Sequence, residues 1–426
     1  MNAPRPGMDM PKSASAVSDK RRRVVWFVNQ YAGSPAHGME FRHYELAREL
    51  VALGHTVVVI SGSFSHLFAR QPITRGTYTL EHVDGVTYCW VRIPAYRQAM
   101  SVGRVLNMLA FMARLYRLPY SRLPRPDAIV VSSPSLFPIL PSERWARRAG
   151  SRLVFEVRDV WPLTLQELGG LSWWHPLVAV MGWFEAHAYR VADVVVSVLP
   201  AAGPHMVTRG MDPSKLRIIP NGAAPDALLE PVTQAPPRVR EATRMHAFNV
   251  GFVGTLGFAN ALETMIDAAR ILADDDVGFV IVGRGSEEAR LRESAAGLPN
   301  VTFVGEVPRS EVAATLREFD VCYVGYRRSP LYRFGISPNK VFDYLAASQP
   351  IILAADGATE WLRSAGAVTV PADDAQTVAD AVRALRALPD SERRALGEQG
   401  RAFVEREHTY ERLAARYAEV LGEAAR

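Results

Sequence analysis

The densest chemistry in the chain lies in Ser337-Pro338-Asn339-Lys340-Val341-Phe342-Asp343-Tyr344-Leu345. A serine followed by a proline reads as a helix N-cap and a first-turn proline. Lys340 then sits one turn inside the helix, where the positive dipole end favours an acidic residue. A lysine in that place suits an external anion. Lys340 and Asp343 are three residues apart and share one helix face, so a plain salt bridge is one reading. The other reading divides the labour: Lys340 takes a diphosphate and Asp343 accepts both hydroxyls of a ribose.

Two glycine turns offer a second set of anion contacts. Gly254-Thr255-Leu256-Gly257-Phe258-Ala259-Asn260 follows an apolar run and precedes Leu262, Met265, Ile266 and Ala269 at helical spacing. Such a turn presents N–H groups and the positive end of a helix to a phosphate, or simply connects a strand to a helix. Val282-Gly283-Arg284-Gly285 repeats the device, with Arg284 either approaching an anion or standing solvated in a loop. No Gly-x-Gly-x-x-Gly occurs at this turn or after the first strand, which argues against a hydride-transfer enzyme.

In the first half, Asp159 ends an expected strand with Arg158 beside it. A strand-end carboxylate at a cleft can orient or deprotonate a hydroxyl, or merely cap the next turn. Gly38 and Arg42, in the loop Ala36–Arg42, are candidate ligands facing a diphosphate across the cleft, and His37 reads as a surface residue. Asp274-Asp275-Asp276 imitates a metal-binding run, but it follows a helix and precedes a strand, at the wrong end of a sheet. It reads as a solvated turn, and neither a metal nor another cofactor is expected.

The elements that must position these residues alternate along the chain. Apolar runs at Val24–Asn29, Thr56–Ile60, Val86–Ile93, Ala128–Ser132, Leu153–Val157, Val194–Val198 and Leu216–Ile219 are separated by helix-length segments, the pattern of a parallel α/β sheet. A Pro-rich polar segment, Glu230 to Arg240, interrupts the rhythm. It restarts at Phe248–Val253, Gly278–Val282, Val301–Val304, Val321–Gly325 and Ile351–Leu353. The expectation is a disordered tail over residues 1–22, a first domain over 23–228 and a second over 241–405. A terminal helical segment, 406–426, would pack back on the first domain. Both domains are doubly wound, and ligands in such sheets sit at the carboxyl ends of the strands.

At 426 residues the chain exceeds one ordinary core, and 48% apolar with 22% charged residues excludes disordered and polytopic membrane classes. Cys89 and Cys322 are too few for a disulfide framework or a cysteine-based zinc site. No charged-then-apolar leader opens the sequence, so the expected compartment is the cytoplasm. No run approaches the roughly 18 apolar residues of a spanning helix, so any membrane contact would be peripheral. The formal charge is +5. Arg97, Arg104, Arg114, Arg117, Arg122 and Arg125 interleave with Leu106, Met108, Leu109, Phe111, Met112, Leu115 and Tyr116, which reads as a basic amphipathic helix or as a core helix with solvated arginines. Trp173 and Trp174 lie on an expected loop, and tryptophan favours the headgroup zone. Together with Leu109, Phe111 and Met112 they point to an anionic membrane surface. Nucleic acid is not expected, since no recognition motif accompanies the arginines.

Gly254–Asn260, the Val282–Gly285 loop and Pro338-Asn339-Lys340…Asp343-Tyr344-Leu345-Ala346…Pro350 together resemble the donor half of family 4 glycosyltransferases of GT-B fold, two Rossmann-like domains facing across a cleft. Glu156-Val157-Arg158-Asp159-Val160-Trp161-Pro162, Glu167-Leu168-Gly169 and Tyr44–Leu50 before Gly54-His55 resemble the subgroup that adds amino-deoxy sugars in bacterial O-antigen, lipopolysaccharide and capsule assembly. The resemblance covers nearly the whole chain beyond residue 23. It implies a retaining transferase using a nucleotide-diphosphate sugar such as a UDP-sugar, acting on a lipid-linked or oligosaccharide acceptor at the inner face of the cytoplasmic membrane. It places Asp159 and Arg158, where the family often has a His-Asp pair, as positioning groups, and Glu167 on the acceptor side. The sequence departs from the family at Gly335, which stands where a first glutamate is usual, and at Thr255–Asn260, which replaces an Arg and Lys pair. An epimerase of the same fold would need more carboxylates around the sugar, and a non-catalytic sugar-nucleotide sensor would have no use for the apolar, basic acceptor face.

Overall fold

The computed structural model describes residues 22–38, 41–97, 101–224 and 234–422. The expected tail, apart from Arg22, and much of the segment expected to join the domains lie outside the described residues.

The first sheet is built from β1 (Val24–Val28), β2 (Thr56–Gly62), β3 (Tyr78–Val83), β4 (Val86–Val91), β5 (Ala128–Ser132), β6 (Arg152–Val157), β7 (Val194–Ser197) and β8 (Leu216–Ile218). Their order is β3-β4-β2-β1-β5-β6-β7-β8, and all neighbouring pairs are parallel except β3 with β4. Successive side chains of a strand point to opposite faces. In β1, Trp26 and Val28 enter the apolar layer on one side, while Val25 and Phe27 enter the layer on the other. Both faces are covered, which is why these strands read as unbroken apolar runs.

β3 was not expected. It forms a hairpin with β4 in which Val83 pairs Val86, leaving Asp84 and Gly85 as the two-residue turn, both at positive φ (50° and 81°). Asp-Gly is the residue pair such a turn demands.

The second sheet comprises β9 (Phe248–Val253), β10 (Val277–Val282), β11 (Val301–Gly305), β12 (Val321–Gly325), β13 (Ile351–Ala354) and β14 (Val368–Val370), in the order β11-β10-β9-β12-β13-β14 and parallel throughout. The chain runs outward from β9 through β10 to β11, then resumes on the other side at β12. The switch point therefore lies between β9 and β12, and a ligand crevice is expected beyond their carboxyl ends. The helix Pro237–Thr243 packs on β10 and β11, so the second body begins before residue 241. The helix Tyr410–Gly422 packs on the helix Phe41–Ala52, its Leu413, Ala414 and Tyr417 sharing one core with Leu46, Leu50 and Phe27.

The chain crosses between bodies twice, and the two crossings touch. The Ala223 N–H donates to the His408 carbonyl at 2.9 Å, and a Cβ on Gly222 would lie 2.2 Å from that same oxygen. Only glycine permits this approach.

Beneath the crossings Glu156 of β6 is fully buried. It receives Arg42 Nε at 3.1 Å, His43 Nε2 at 3.0 Å, the Ser132 hydroxyl at 2.7 Å and the Tyr417 hydroxyl at 2.6 Å. Burial works to raise this carboxyl, but the Arg42 charge, with His43 and Tyr417, outweighs it and holds the group well below the usual carboxylate range. Breaking such a pair from one side strands a buried charge, so Glu156→Ala is expected to cost about 3–5 kcal/mol of stability. Tyr417→Phe, which removes one bond to a charge, should cost about 1.5–3 kcal/mol. Because the folded pKa is depressed, the contribution is complete above the unfolded value of about 4.3 and is lost as pH falls towards the folded one. Urea midpoints measured at decreasing pH should decline in the wild type below about pH 5, and less steeply in Glu156→Gln.

Candidate active site in the interdomain cleft

The loops beyond β9, β10 and β11 are zipped together at the carboxyl edge of the second sheet. Gly254 N–H donates to Val282 O, Leu256 N–H to Arg284 O and Gly283 N–H to Gly305 O, each at 2.9 Å. A Cβ on Gly283 would lie 1.8 Å from the Gly254 oxygen, and one on Gly285 would lie 2.1 Å from the Leu256 oxygen. Glycine is required at 283 and 285 by backbone contact between loops. Leu256, expected among the donor contacts, is instead a core anchor at 1% exposure, and its carbonyl is occupied by the Glu287 N–H. Thr255 is exposed on the same loop. Arg284 is exposed and lies 3.8 Å from Glu306.

The helix after β12 runs from Asn339 to Ala346, with Pro338 rather than Ser337 at the N-cap. Ser337 has a different task. Its hydroxyl accepts the backbone N–H of Asn221 at 3.0 Å and its carbonyl accepts the Asn221 side chain, tying this helix to the first body. Lys340 does not pair with Asp343. Its ammonium donates to Asn260 Oδ1 and lies 4.7 Å from the centre of the Phe252 ring, and burial lowers its pKa to about 7. Asn260 in turn donates to the Thr255 carbonyl at 2.7 Å, so the β9 loop and the helix start meet through one amide. Tyr344 completes the join, its hydroxyl bonding both the N–H and the carbonyl of Val253.

Asp343 is held by a residue that the motif reading did not single out. Arg309, just beyond β11, grips it through two bonds of 2.6 and 2.7 Å. A second overlooked cation is Arg327, beyond β12, which donates to the Phe258 carbonyl at 3.0 Å and covers the Phe258 ring at 4.1 Å. Neither belongs to the helix motif. The position of Arg327 at the switch point would have been the signal for it.

On the opposite side, Arg158 and Asp159 follow β6, and the Ser133 hydroxyl accepts the Arg158 N–H at 2.9 Å. A cavity of about 240 Å³ between the bodies is lined by Arg158, Asp159, Tyr332, Gly335, Ser337 and Asn339, among others. Burial pushes the Tyr332 hydroxyl up to about 12, and the Asp159 charge adds to the shift. The loop after β6 and the start of the helix Asn339–Ala346, separated by nearly 180 residues of sequence, are thus two walls of one cleft. Gly335 has φ +88°, and a Cβ there would lie 2.7 Å from Pro200 of the first body. The close approach of the bodies, together with that backbone conformation, accounts for glycine where a glutamate is usual.

Several expected site residues are elsewhere. Arg42 is not a cleft ligand: it is fully buried on Glu156, and it also donates to the carbonyls of Pro220 (2.6 Å) and Ile219 (2.9 Å) and to Asn221 Oδ1 (3.1 Å). Gly38 sits at φ +68° against Ala69. His37 is not on the surface but buried, its ring 4.7 Å from that of Trp90. Glu167 is exposed at the end of the helix Leu163–Glu167. Asp274–Asp276 precede β10 at the far edge, where Asp275 meets Arg383 at 2.9 Å and Asp276 meets His246 at 3.2 Å.

The basic helix is shorter than expected. It spans Val102–Leu115 and carries only Arg104 and Arg114 of the six arginines. Phe111 is fully buried and belongs to the core, not to an outer face. Met112 is partly buried and Arg114 half-buried, while Arg117 is exposed. Trp173 and Trp174 are 62% and 73% exposed and stack with centroids 3.4 Å apart. Among the described residues no helix is long and apolar enough to cross a membrane.

Family models match both halves of the chain. A glycosyl transferase 4-like domain matches residues 37–222 and a glycosyl transferases group 1 domain matches residues 247–387. The chain is 23% identical over 325 residues, 74% of its length and 79% of the relative's, to the colanic acid biosynthesis glycosyl transferase WcaI of Escherichia coli (strain K12). Among solved structures, the sucrose-phosphate synthase of Thermosynechococcus elongatus superposes with a TM-score of 0.70 at 18% identity, covering 94% of this chain and 98% of its own. The trehalose 6-phosphate synthase of Burkholderia multivorans gives 0.68 at 17%, with the same coverage. Anabaena HepE in complex with UDP-glucose gives 0.63 at 14%, covering 95% of this chain and all of HepE. With matched domains on both sides of the cleft and the two-sheet architecture shared across nearly the whole length, the chain belongs to the family 4 glycosyltransferases of GT-B fold.

Proposed function

We propose that this glycosyltransferase retains anomeric configuration and moves a sugar from a nucleotide-diphosphate sugar to a lipid-linked glycan in cell-surface polysaccharide assembly, working peripherally at the cytoplasmic face of the membrane. The observation that carries the reading is the cleft itself, which sets Asp159 and Arg158 opposite Ser337, Pro338 and Asn339 at the start of the helix Asn339–Ala346. The WcaI relative is named for polysaccharide synthesis, and HepE is described with UDP-glucose; both support the donor and product classes.

In this reading the diphosphate lies at the helix start, where backbone N–H groups and the dipole favour an anion. Lys340 turns from Asn260 towards it. The ribose hydroxyls replace Arg309 on the Asp343 carboxylate, which frees a guanidinium beside the nucleotide. The anomeric carbon–oxygen bond to the diphosphate breaks, and the acceptor oxygen bonds the same carbon from the same face. The acceptor proton passes to the departing diphosphate oxygen. Asp159 orients the acceptor hydroxyl from across the cleft, with Arg158 beside it, and takes no covalent part. Fixed hydrogen-bond donors and cations meet the charge that develops on the leaving group, and no metal is assigned to that task.

Three outcomes test the reading. In calorimetry with UDP-glucose as the probe, Lys340→Ala and Asp343→Ala should each weaken binding about ten- to a hundredfold, while melting temperatures stay near the wild-type value. Lys340 is protonated below its pKa of about 7 in the free protein, so affinity should fall as pH rises past 7, binding at pH 8 should take up a proton, and Lys340→Arg should abolish both effects. Transfer should survive EDTA; loss of activity with recovery on adding Mg²⁺ or Mn²⁺ would overturn the metal-independent mechanism.

A further inference from the structure

A second and larger cavity, about 720 Å³, runs along the first body between the helices Val102–Leu115 and Pro176–Val191. Its volume lies in the range of ligand pockets. Val105, Leu109, Trp161, Leu165, Leu177 and Met181 are among its walls. The indole N–H of Trp161 is buried without a partner, and the other polar side chains along the groove are engaged. Ser101 caps its own helix by accepting the Arg104 N–H at 3.3 Å, the Arg104 guanidinium donates to the Tyr31 hydroxyl at 3.3 Å, and His175 accepts the Leu177 N–H at 3.2 Å. A peptide laid here would find few partners for its backbone, whereas a chain without polar groups needs none.

One short loop borders both the groove and the cleft. Arg158 and Asp159 line the interdomain cavity, and Trp161, two residues on, lines the groove. At its other margin the chain carries Leu171, then the exposed Trp173 and Trp174, then His175 and Pro176. Val102, Leu106 and Val180 are exposed along the two helices.

We propose that this groove receives the hydrocarbon chain of the lipid acceptor, holding it so that the polar head reaches Asp159. The proposal rests on the lipid-linked acceptor of the preceding subsection. The groove draws one acceptor chain out of the bilayer, while the tryptophans sit in the headgroup zone where the chain leaves it.

Octyl, decyl and dodecyl phosphate below their micelle concentrations are the probes, followed by quenching or calorimetry. Affinity for the wild type should climb with length, up to roughly fourfold per methylene for a fully buried chain. Leu109→Glu and Val180→Glu, on opposite walls and both partly exposed, should flatten that series by more than tenfold at the dodecyl end without lowering the melting temperature. Affinity independent of chain length, or a series unchanged in both variants, overturns the groove. So does binding of an amphipathic peptide in preference to every alkyl phosphate. Flotation on phosphatidylglycerol vesicles separates the two readings. Vesicle binding without chain-length dependence overturns the groove and leaves the membrane reading standing. Chain-length dependence without vesicle binding supports the groove and removes the peripheral-membrane part of the proposed function.

Discussion

A single buried carboxylate, Glu156, sets the geometry on which both halves of the cleft rely. It stands on β6, three residues before Asp159, and its partners come from the first helix, from β5 and from the terminal helix. Arg42, fixed by that carboxylate, reaches on to the backbone at Ile219 and Pro220 and to the side chain of Asn221. Asn221 then holds Ser337 at the threshold of the helix Asn339–Ala346. Charge buried to this degree is stable only when every partner is in place. The route Glu156, Arg42, Asn221, Ser337 therefore links the strand behind one wall of the cleft to the helix at the other, and all four residues are buried.

The switch-point rule explains where the remaining groups gather. In the second sheet the loops that open outward follow β9 and β12, and these carry Asn260, Arg327 and Lys340. Arg309 arrives from the edge strand β11 and engages Asp343 from the side. The cations here are spread along the edge, Arg309 beyond β11 and Arg327 and Lys340 beyond β12. The zipped glycine loops beneath them form a floor of backbone contacts, which leaves the positive charge to side chains above it.

Much of this architecture was legible in the sequence because parallel strands covered on both faces are continuous apolar runs, and almost every such run became a strand. Asp159, Asn339, Lys340 and Asp343 stood out as candidates because local motif, helix phase and strand-end position coincide there, and Asp159 and Asn339 line one cavity. The failures were non-local or short. Arg42 looks like a helix-start cation until β6, 114 residues later, is known to present Glu156 to it. Leu256 sits in a glycine-rich loop yet anchors that loop in the core. β14 has three residues, too few to show a period. The Asp84-Gly85 turn was readable, but β3 alternates between partly buried and exposed positions and carries none of the apolar density by which the other strands were found.

The paired crossings have a mechanical consequence. Because Gly222 and Ala223 lie directly against His408 and Thr409, the two covalent links between the bodies emerge at nearly one point. Relative rotation of the bodies about that point displaces each group in proportion to its distance from it. Ser337, tied to Asn221 beside the pivot, travels least, and the outer rims of the cleft sweep the widest arc. A ligand held beside Ser337 would thus keep its register through such a rotation, while the rims opened or closed around it.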